Sequence, residues 1–269
     1  MFWMITKTKV ELSLCVILLL SACISAVWDG NLADIEPVST GVRELPIYSV
    51  KTDEMRVAIT FDAAAGANDT DALLGVLAAH NVKATFFVCG CWLRNHPSDA
   101  KKILNAGHEM GNHGDRHLDP VKLSKKELIK DIEDQRAEMQ KLLGIQPSLY
   151  RPAYGSYNTE VVRTARSLGY EVIQWSVDSL DWKEYGAEEV QRRVLEHPQL
   201  TKGAIILFHN DTAYTAIALD DILTGLESQG YVIGCVSDLI LEEPYEIDHN
   251  GCQFKGSPFI SSATDIETE

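Results

Sequence analysis

Positive charge is scarce in this chain. Its 269 residues carry 24 Lys and Arg against 39 Asp and Glu, a formal net charge of −15. Nucleic acid and acidic lipid both demand Lys/Arg surfaces, so neither is an expected partner. A neutral substrate, or one offering amines, is easier to accommodate. The one long apolar run, Leu12 to Val27, is shorter than the roughly 20 residues of a spanning helix. Internal repeats and low-complexity blocks are absent. Cysteine is sparse too: Cys15 and Cys23 lie in the apolar run, leaving Cys89, Cys91, Cys235 and Cys252. Only Gly90 separates Cys89 from Cys91, which strains a mutual disulfide, and one C-x-C without a second pair is weak evidence for zinc. Buried free thiols are the expectation, although an exported chain could bridge some of them.

The first 27 residues look like a leader rather than domain. Lys7 and Lys9 precede "LSLCVILLLSACISAV", a basic start followed by an apolar stretch, as in a secretory signal. Within it "LSAC" (Leu20 to Cys23) resembles the lipobox of bacterial lipoproteins, "ISA" before Val27 suits a conventional peptidase, and a little tilt or thinning would let the run serve as an uncleaved anchor. The lipoprotein is favoured. All three place the rest of the chain outside the cytoplasm, with membrane contact only through the leader or its lipid. About 240 residues remain, enough for one α/β barrel or two small domains.

Residues 28–54 show no clear period and are expected as an extended lead-in crossing the surface. From Met55 to about residue 240 a rhythm appears. Apolar, β-rich runs fall at "RVAITF" (56–61), "KATFFVC" (83–89), "HEMGN" (108–112), "SLYR" (148–151), "EVIQWSV" (171–177), "GAIILF" (203–208) and "YVIGCV" (231–236). Helical patterns lie between them. Ser124 and Glu127 make a capping box and Gly144 closes that helix. Pro97 can open another, and Asn158 caps a third. Alternating strands and helices imply βα units and a parallel sheet, with seven strands suiting either a barrel or a doubly wound sheet. Residues 241–269 are an acidic tail, expected to wrap or fray.

The unusual polar groups follow the strands. Asp62 follows the first, "HGDRH" (113–117) the third, "RPAYG" (151–155) the fourth, "DSLDW" (178–182) the fifth and His209 the sixth. In parallel α/β architecture the C-terminal strand ends share one face, so these groups should converge there. His113 and His117, four apart, can share one metal ion. Asp62 and His209 make an acid–base pair: the carboxylate takes a proton from water, and the imidazolium gives one to a leaving amine. Asp181 can hydrogen-bond His209 and favour its charged form, while Arg151 can hold Asp62 ionised. A set of rim salt bridges is the plainer alternative. His80 and His108 are read as closing helices.

These residues resemble the NodB-homology polysaccharide deacetylases, carbohydrate esterase family four. The family's T-F-D-D, H-[ST]-x-x-H, R-x-P-Y, D-x-x-D-W and L-x-H motifs read here "TFDA", "HGDRH", "RPAY", "DSLDW" and "LFH", in the family's order. "RPAYGSYN", "QWSVDSLDW" and "EIDHNG" look most like the sporulation-type peptidoglycan deacetylases. The resemblance implies an α/β fold, a distorted (β/α) barrel with seven or eight mostly parallel strands. It implies N-deacetylation of peptidoglycan or another N-acetylated oligosaccharide, chitin-like included, with a divalent ion, usually zinc. Carried over, Asp62 is the general base, His113 and His117 are metal ligands, Arg151 orients the base, and Asp181 orients His209, the general acid. The Tyr154 backbone N–H faces the oxyanion, and Trp182 and Leu207 wall the acetyl pocket. Three positions depart: Ala63 replaces the Asp that is usually the third metal ligand, Gly114 replaces Ser or Thr, and Ala153 replaces Pro. Water or a nearby carboxylate, Asp115 or Asp69, is then needed to complete the metal shell. The competing function is a non-catalytic, cell-wall glycan-binding protein with a degenerate metal site.

Overall fold

The computed structural model describes residues 43–256. The leader, most of the lead-in and the end of the tail lie outside the described residues. Residues from Glu44 on make up one unit, and the elements named below belong to it.

Eleven strands are described: β1 Ser49–Val50, β2 Arg56–Ala63, β3 Thr85–Val88, β4 Glu109–Asn112, β5 Leu149–Tyr150, β6 Glu171–Val172, β7 Val177–Asp178, β8 Ile205–His209, β9 Val232–Gly234, β10 Tyr245–Ile247 and β11 Cys252–Lys255. The described helices are α1 Thr70–Ala79, α2 Gly90–Asn95, α3 Pro97–Asn105, α4 Lys125–Leu143, α5 Thr159–Ser167, α6 Ala187–Leu195 and α7 Thr215–Ser228. Seven parallel strands form a curled sheet in the order β6-β5-β4-β3-β2-β8-β7, and β9 adds an eighth at the base of β2. This is the distorted (β/α) barrel that the strand–helix rhythm and the motifs pointed to. No helix among the described residues is long and apolar enough to cross a membrane.

Strand periodicity sorts the core. On β2, Val57, Ile59, Phe61 and Ala63 face the helices and join one large cluster with Phe86, Phe208, Leu73, Leu77 and Leu219. Phe61 stacks on Phe86 and Phe208, with ring centroids 4.8 and 5.6 Å away. Each such ring contributes roughly 1.5–3 kcal/mol by burial. The alternate residues Ala58, Thr60 and Asp62 point the other way, because successive side chains leave opposite faces of a strand. Ala58 packs there with Phe87, Leu149, Ile173 and Ile205.

Helix ends follow the local chemistry. Ser124 and Glu127 cap α4 reciprocally, and Gly144 ends it at φ 73°. Pro97 opens α3, and the Asn158 side chain accepts from Val161 N at the start of α5.

Three expectations change. The lead-in does not simply cross the surface: Ile47 and Val50 are buried, and Ile47 bridges Ile173 beside β6. Its backbone takes Val172 O and serves Gln174 N, while Ile173 N stays on Tyr150 O of β5 and Ser176 N turns to Ile205 O of β8, so the chain leaves β5 for β8 between residues 173 and 176. The run "EVIQWSV" is therefore two strands, β6 and β7, with a break between them. His108 does not simply close a helix: it is buried, and its Nδ1 accepts from Ala84 N at 3.2 Å. The tail wraps as far as it is described, with β1, β11 and β10 forming a small separate sheet.

Candidate active site

Parallel register makes Asp62 of β2 and His209 of β8 direct neighbours on the same face. The loop after β4 delivers His113 and His117, and the turn after β5 delivers Arg151. A cavity of about 580 Å³ opens over these strand ends. Asp62, His113, His117, Tyr154, Trp182, Leu207 and His209 all line it. Arg151 and Asp181 lie behind that wall, fully buried. The structure thus gathers the nine residues given catalytic, metal-binding or pocket roles from the sequence around one cleft.

Asp62 is backed by a cation. Arg151 Nη1 donates to Asp62 Oδ1 at 2.7 Å and to Thr60 Oγ1 at 2.9 Å, while Nη2 donates to Gln174 O at 3.2 Å. The guanidinium lies 4.1 Å from the Phe87 ring centroid. Burial acts to raise the Asp62 pKa, but the charge and hydrogen bond of Arg151, helped by His209, outweigh it and hold the carboxyl below its ordinary value. Gly111 makes room for this support. A Cβ there would meet Phe87 Cδ1 at 2.5 Å, so a side chain would push the ring that carries Arg151.

His209 is backed by an anion. Asp181 Oδ1 accepts from His209 Nδ1 at 2.8 Å, and its Oδ2 accepts from His209 N at 2.8 Å and Thr215 Oγ1 at 2.6 Å. Trp182 N donates to Oδ1 at 2.9 Å. Burial alone would lower the His209 pKa; the hydrogen bond and charge of Asp181, helped by Asp62, raise it above the ordinary value. Two titratable groups on one wall are pushed apart, the carboxyl down and the imidazole up. That separation leaves a base and an acid present together near neutrality.

The two remaining imidazoles are held neutral. His113 Nδ1 lies 2.8 Å from Arg151 O. A carbonyl only accepts, so Nδ1 carries the proton and Nε2 keeps its lone pair. Burial pushes the His113 pKa down. Burial and then the nearby His113 pull His117 down to about 4. The rings are 5.1 Å apart, centroid to centroid. Gly114, at φ 77°, lets the loop turn over Asp131, whose Oδ2 would lie 2.5 Å from a Cβ there. Asp131 accepts from Asp115 N and Arg116 N and so pins the loop between the two His. Backbone strain gathers here as well: His117, Tyr154, Glu184 and Asp211, all lining the cavity, have positive φ.

Neither carboxylate expected to supplement the two His does so. Both Asp115 oxygens take hydrogen bonds from Arg94, at 2.6 and 3.2 Å. Asp69 lies instead beside Asp211 and Thr212. The group that does approach the imidazoles is Cys89, whose Sγ forms a triad with His113 and His117 ring nitrogens, all within 4.8 Å of one another. One soft sulfur and two imidazole nitrogens fit a borderline-soft divalent ion of the zinc type. Thr60, Trp175, Asp178, Asn210 and Thr215 also belong to the site or its support. Of these, Asp178, inside "DSLDW", and Trp175, inside "QWSVDSLDW", carried a signal in the sequence.

Comparison with known proteins bears on this arrangement. The family model for polysaccharide deacetylase matches residues 49–173. The peptidoglycan-N-acetylmuramic acid deacetylase PdaA of Bacillus subtilis is 33% identical over 73% of this chain and 75% of its own length. The chain belongs to the polysaccharide deacetylase family. The peptidoglycan-N-acetylglucosamine deacetylase PgdA of Listeria monocytogenes is 38% identical over 77% of this chain, which spans only 43% of PgdA. A solved structure of a family-four pseudoenzyme from Bacillus anthracis superposes with a TM-score of 0.70 at 32% identity, covering 72% of this chain and 68% of that one. The family therefore includes wall deacetylases and a member described as a pseudoenzyme. A member of this family with Ala63 in place of the motif's second Asp depends on the groups it retains.

Proposed function

We propose that the protein is an exported, metal-dependent N-deacetylase that removes acetyl groups from N-acetylated sugars of peptidoglycan or a chitin-like polysaccharide. The observation that carries this reading is Asp62 beside His209 on one wall of the cleft, each backed by a buried group of opposite charge. A rim of structural salt bridges gives no reason for Asp62 and His209 to line the same cavity as His113 and His117.

His113 and His117 would hold a divalent ion, which when bound supplies a Lewis acid for water and for the acetyl carbonyl. The chain's own groups do the rest. Asp62, kept ionised by Arg151, accepts the proton of the attacking water. Leu207 and Trp182 wall the space for the acetyl methyl, and the Tyr154 backbone N–H serves the developing oxyanion. One such donor is worth roughly 3–4 kcal/mol in other acyl-transfer enzymes. His209, kept protonated by Asp181, gives its proton to the departing sugar nitrogen, so the amine leaves neutral. Tyr154 and Trp182, both exposed at the cavity, offer aromatic surface to a sugar, with Lys183 Nζ lying over the Trp182 ring, 4.2 Å from its centroid.

The test is acetate release by the purified protein from peptidoglycan and from chitooligosaccharides, with chelator treatment and Zn²⁺ add-back. Asp62→Asn and His209→Ala should each abolish release. A second reading is favoured by Ala63 and by the likeness to the Bacillus anthracis pseudoenzyme: a wall-glycan-binding protein without turnover. Glycan pull-down together with no acetate from any of these substrates under metal excess selects it.

A further inference from the structure

With Ala63 in place of a carboxylate, the third protein ligand has to come from another strand, and the fold offers one. Cys89 follows β3 directly, and β3 pairs with β2 so that Ala63 lies opposite Val88. Cys89 N donates to Ala63 O at 3.1 Å. The thiol is thus presented beside the position the motif leaves empty, and its Sγ shares a 4.8 Å neighbourhood with ligand atoms of both His113 and His117.

An independent feature marks the same place as a cation site. The proton of His113 is committed to Arg151 O, so the Nε2 lone pair points inward on a side chain that is 1% exposed. Asp62 Oδ2 lies 3.6 Å from it. That is too long for a hydrogen bond, and neither atom carries a hydrogen. Two buried acceptors facing each other repel unless a cation lies close to both.

We propose that Cys89 is the third protein ligand of the metal site, making a sulfur–nitrogen–nitrogen set of Cys89, His113 and His117. This rests on the placing of a metal at the two His in the function proposed above. On binding, the sulfur–metal bond forms as the S–H bond, which now points at His113 O (3.4 Å), breaks and its proton passes to solvent. Bonds of about 2.0–2.3 Å in tetrahedral geometry put donor atoms about 3.5 Å apart, so no pair of these donors has to close in by more than about 1.3 Å. A thiolate with two imidazoles selects Zn²⁺ or Co²⁺ over the oxygen-seeking Mg²⁺ and Mn²⁺. It also keeps a position open for solvent.

The probe is Co²⁺ in place of zinc, read by absorption. The wild-type protein and Cys91→Ser should bind one Co²⁺ with an intense sulfur-to-cobalt charge-transfer band in the near ultraviolet. Cys89→Ser should lose the band, with affinity weaker by about 100-fold or more, since even losing an outer partner of a ligand costs about 10–100-fold. Cys89→Ala with Ala63→Asp should regain cobalt without the band. Cobalt bound by folded wild type with no such band, or no cobalt bound, overturns the assignment however the variants fold. Full affinity in Cys89→Ser does the same. The band without acetate release keeps Cys89 as ligand and removes the deacetylase; acetate release with cobalt affinity indifferent to Cys89 does the reverse.

Discussion

Asp181→Asn is the most informative single change. The Asp181 carboxylate accepts four hydrogen bonds with no solvent exposure, two of them from His209. An asparagine can turn its carbonyl toward His209 Nδ1 and Trp182 N. Its amide then faces His209 N, donor against donor, with only the Thr215 hydroxyl free to turn. Losing a charge-assisted bond costs about 1.5–3 kcal/mol, and leaving a buried N–H unpaired costs about 1–3 kcal/mol. Unfolding stability should fall by roughly 3–5 kcal/mol. The pH effect has a definite sign. In the proposed role His209 must be protonated to serve as acid, so activity should fall as pH rises through its pKa, which Asp181 holds above the ordinary value. Without that charge, burial takes over, the pKa drops, and the basic limb of the kcat/KM profile moves to lower pH. Each unit is about 1.4 kcal/mol, a tenfold loss on the alkaline side. The assay is acetate release between pH 5 and pH 9, alongside urea unfolding and direct NMR titration of the His209 imidazole. A destabilised variant whose His209 titrates at the wild-type pH would refute the reasoning, leaving Asp181 a structural bracket only.

Three further changes test other parts of the molecule. Arg151→Met removes the cation beside a buried carboxylate, so stability should drop by about 3–5 kcal/mol; burial is then left to raise the Asp62 pKa, and the acidic limb of the rate profile should move to higher pH. Gly111→Ala should cost about 1–3 kcal/mol by overpacking against Phe87 and should lower kcat through Arg151; a structure with Phe87 and Arg151 unmoved would contradict this. His108 is pushed down to about 4 by burial and then by Lys83, and its Nδ1 must stay unprotonated to accept from Ala84 N. The unfolded chain takes up that proton first, so stability should be lost as pH falls from about 6.5 to about 4, by roughly 2–3 kcal/mol. His108→Gln should flatten that stretch of the stability curve in thermal melts.

Much of the site could be read in the linear chain because its signals are local. A strand must be apolar and must alternate, a parallel sheet puts all strand C-termini on one face, and the residues just after each run are therefore neighbours. That logic placed Asp62, His113, His117, Arg151, Asp181 and His209 together, and the capping box and Gly144 marked α4 to the residue. Other members gave no local sign. Thr60 and Thr215 read as ordinary strand and helix residues until Arg151 and Asp181 reach them. Gln174 lay inside what reads as one continuous strand, broken where the chain leaves β5 for β8. Cys89 looked like a buried thiol, and its neighbourhood with two His arises from β3 lying beside β2 and β4.

The order of types along the chain fixed the elements, their ends and the shared rim, since periodicity and capping depend on residues a few positions apart. Which proton each imidazole carries, which carboxylate is paired with Arg94 and which stands opposite a bare lone pair were decided only in three dimensions. Those depend on atoms brought within 3 or 4 Å from strands 20 to 90 residues apart, a distance over which sequence carries no geometry.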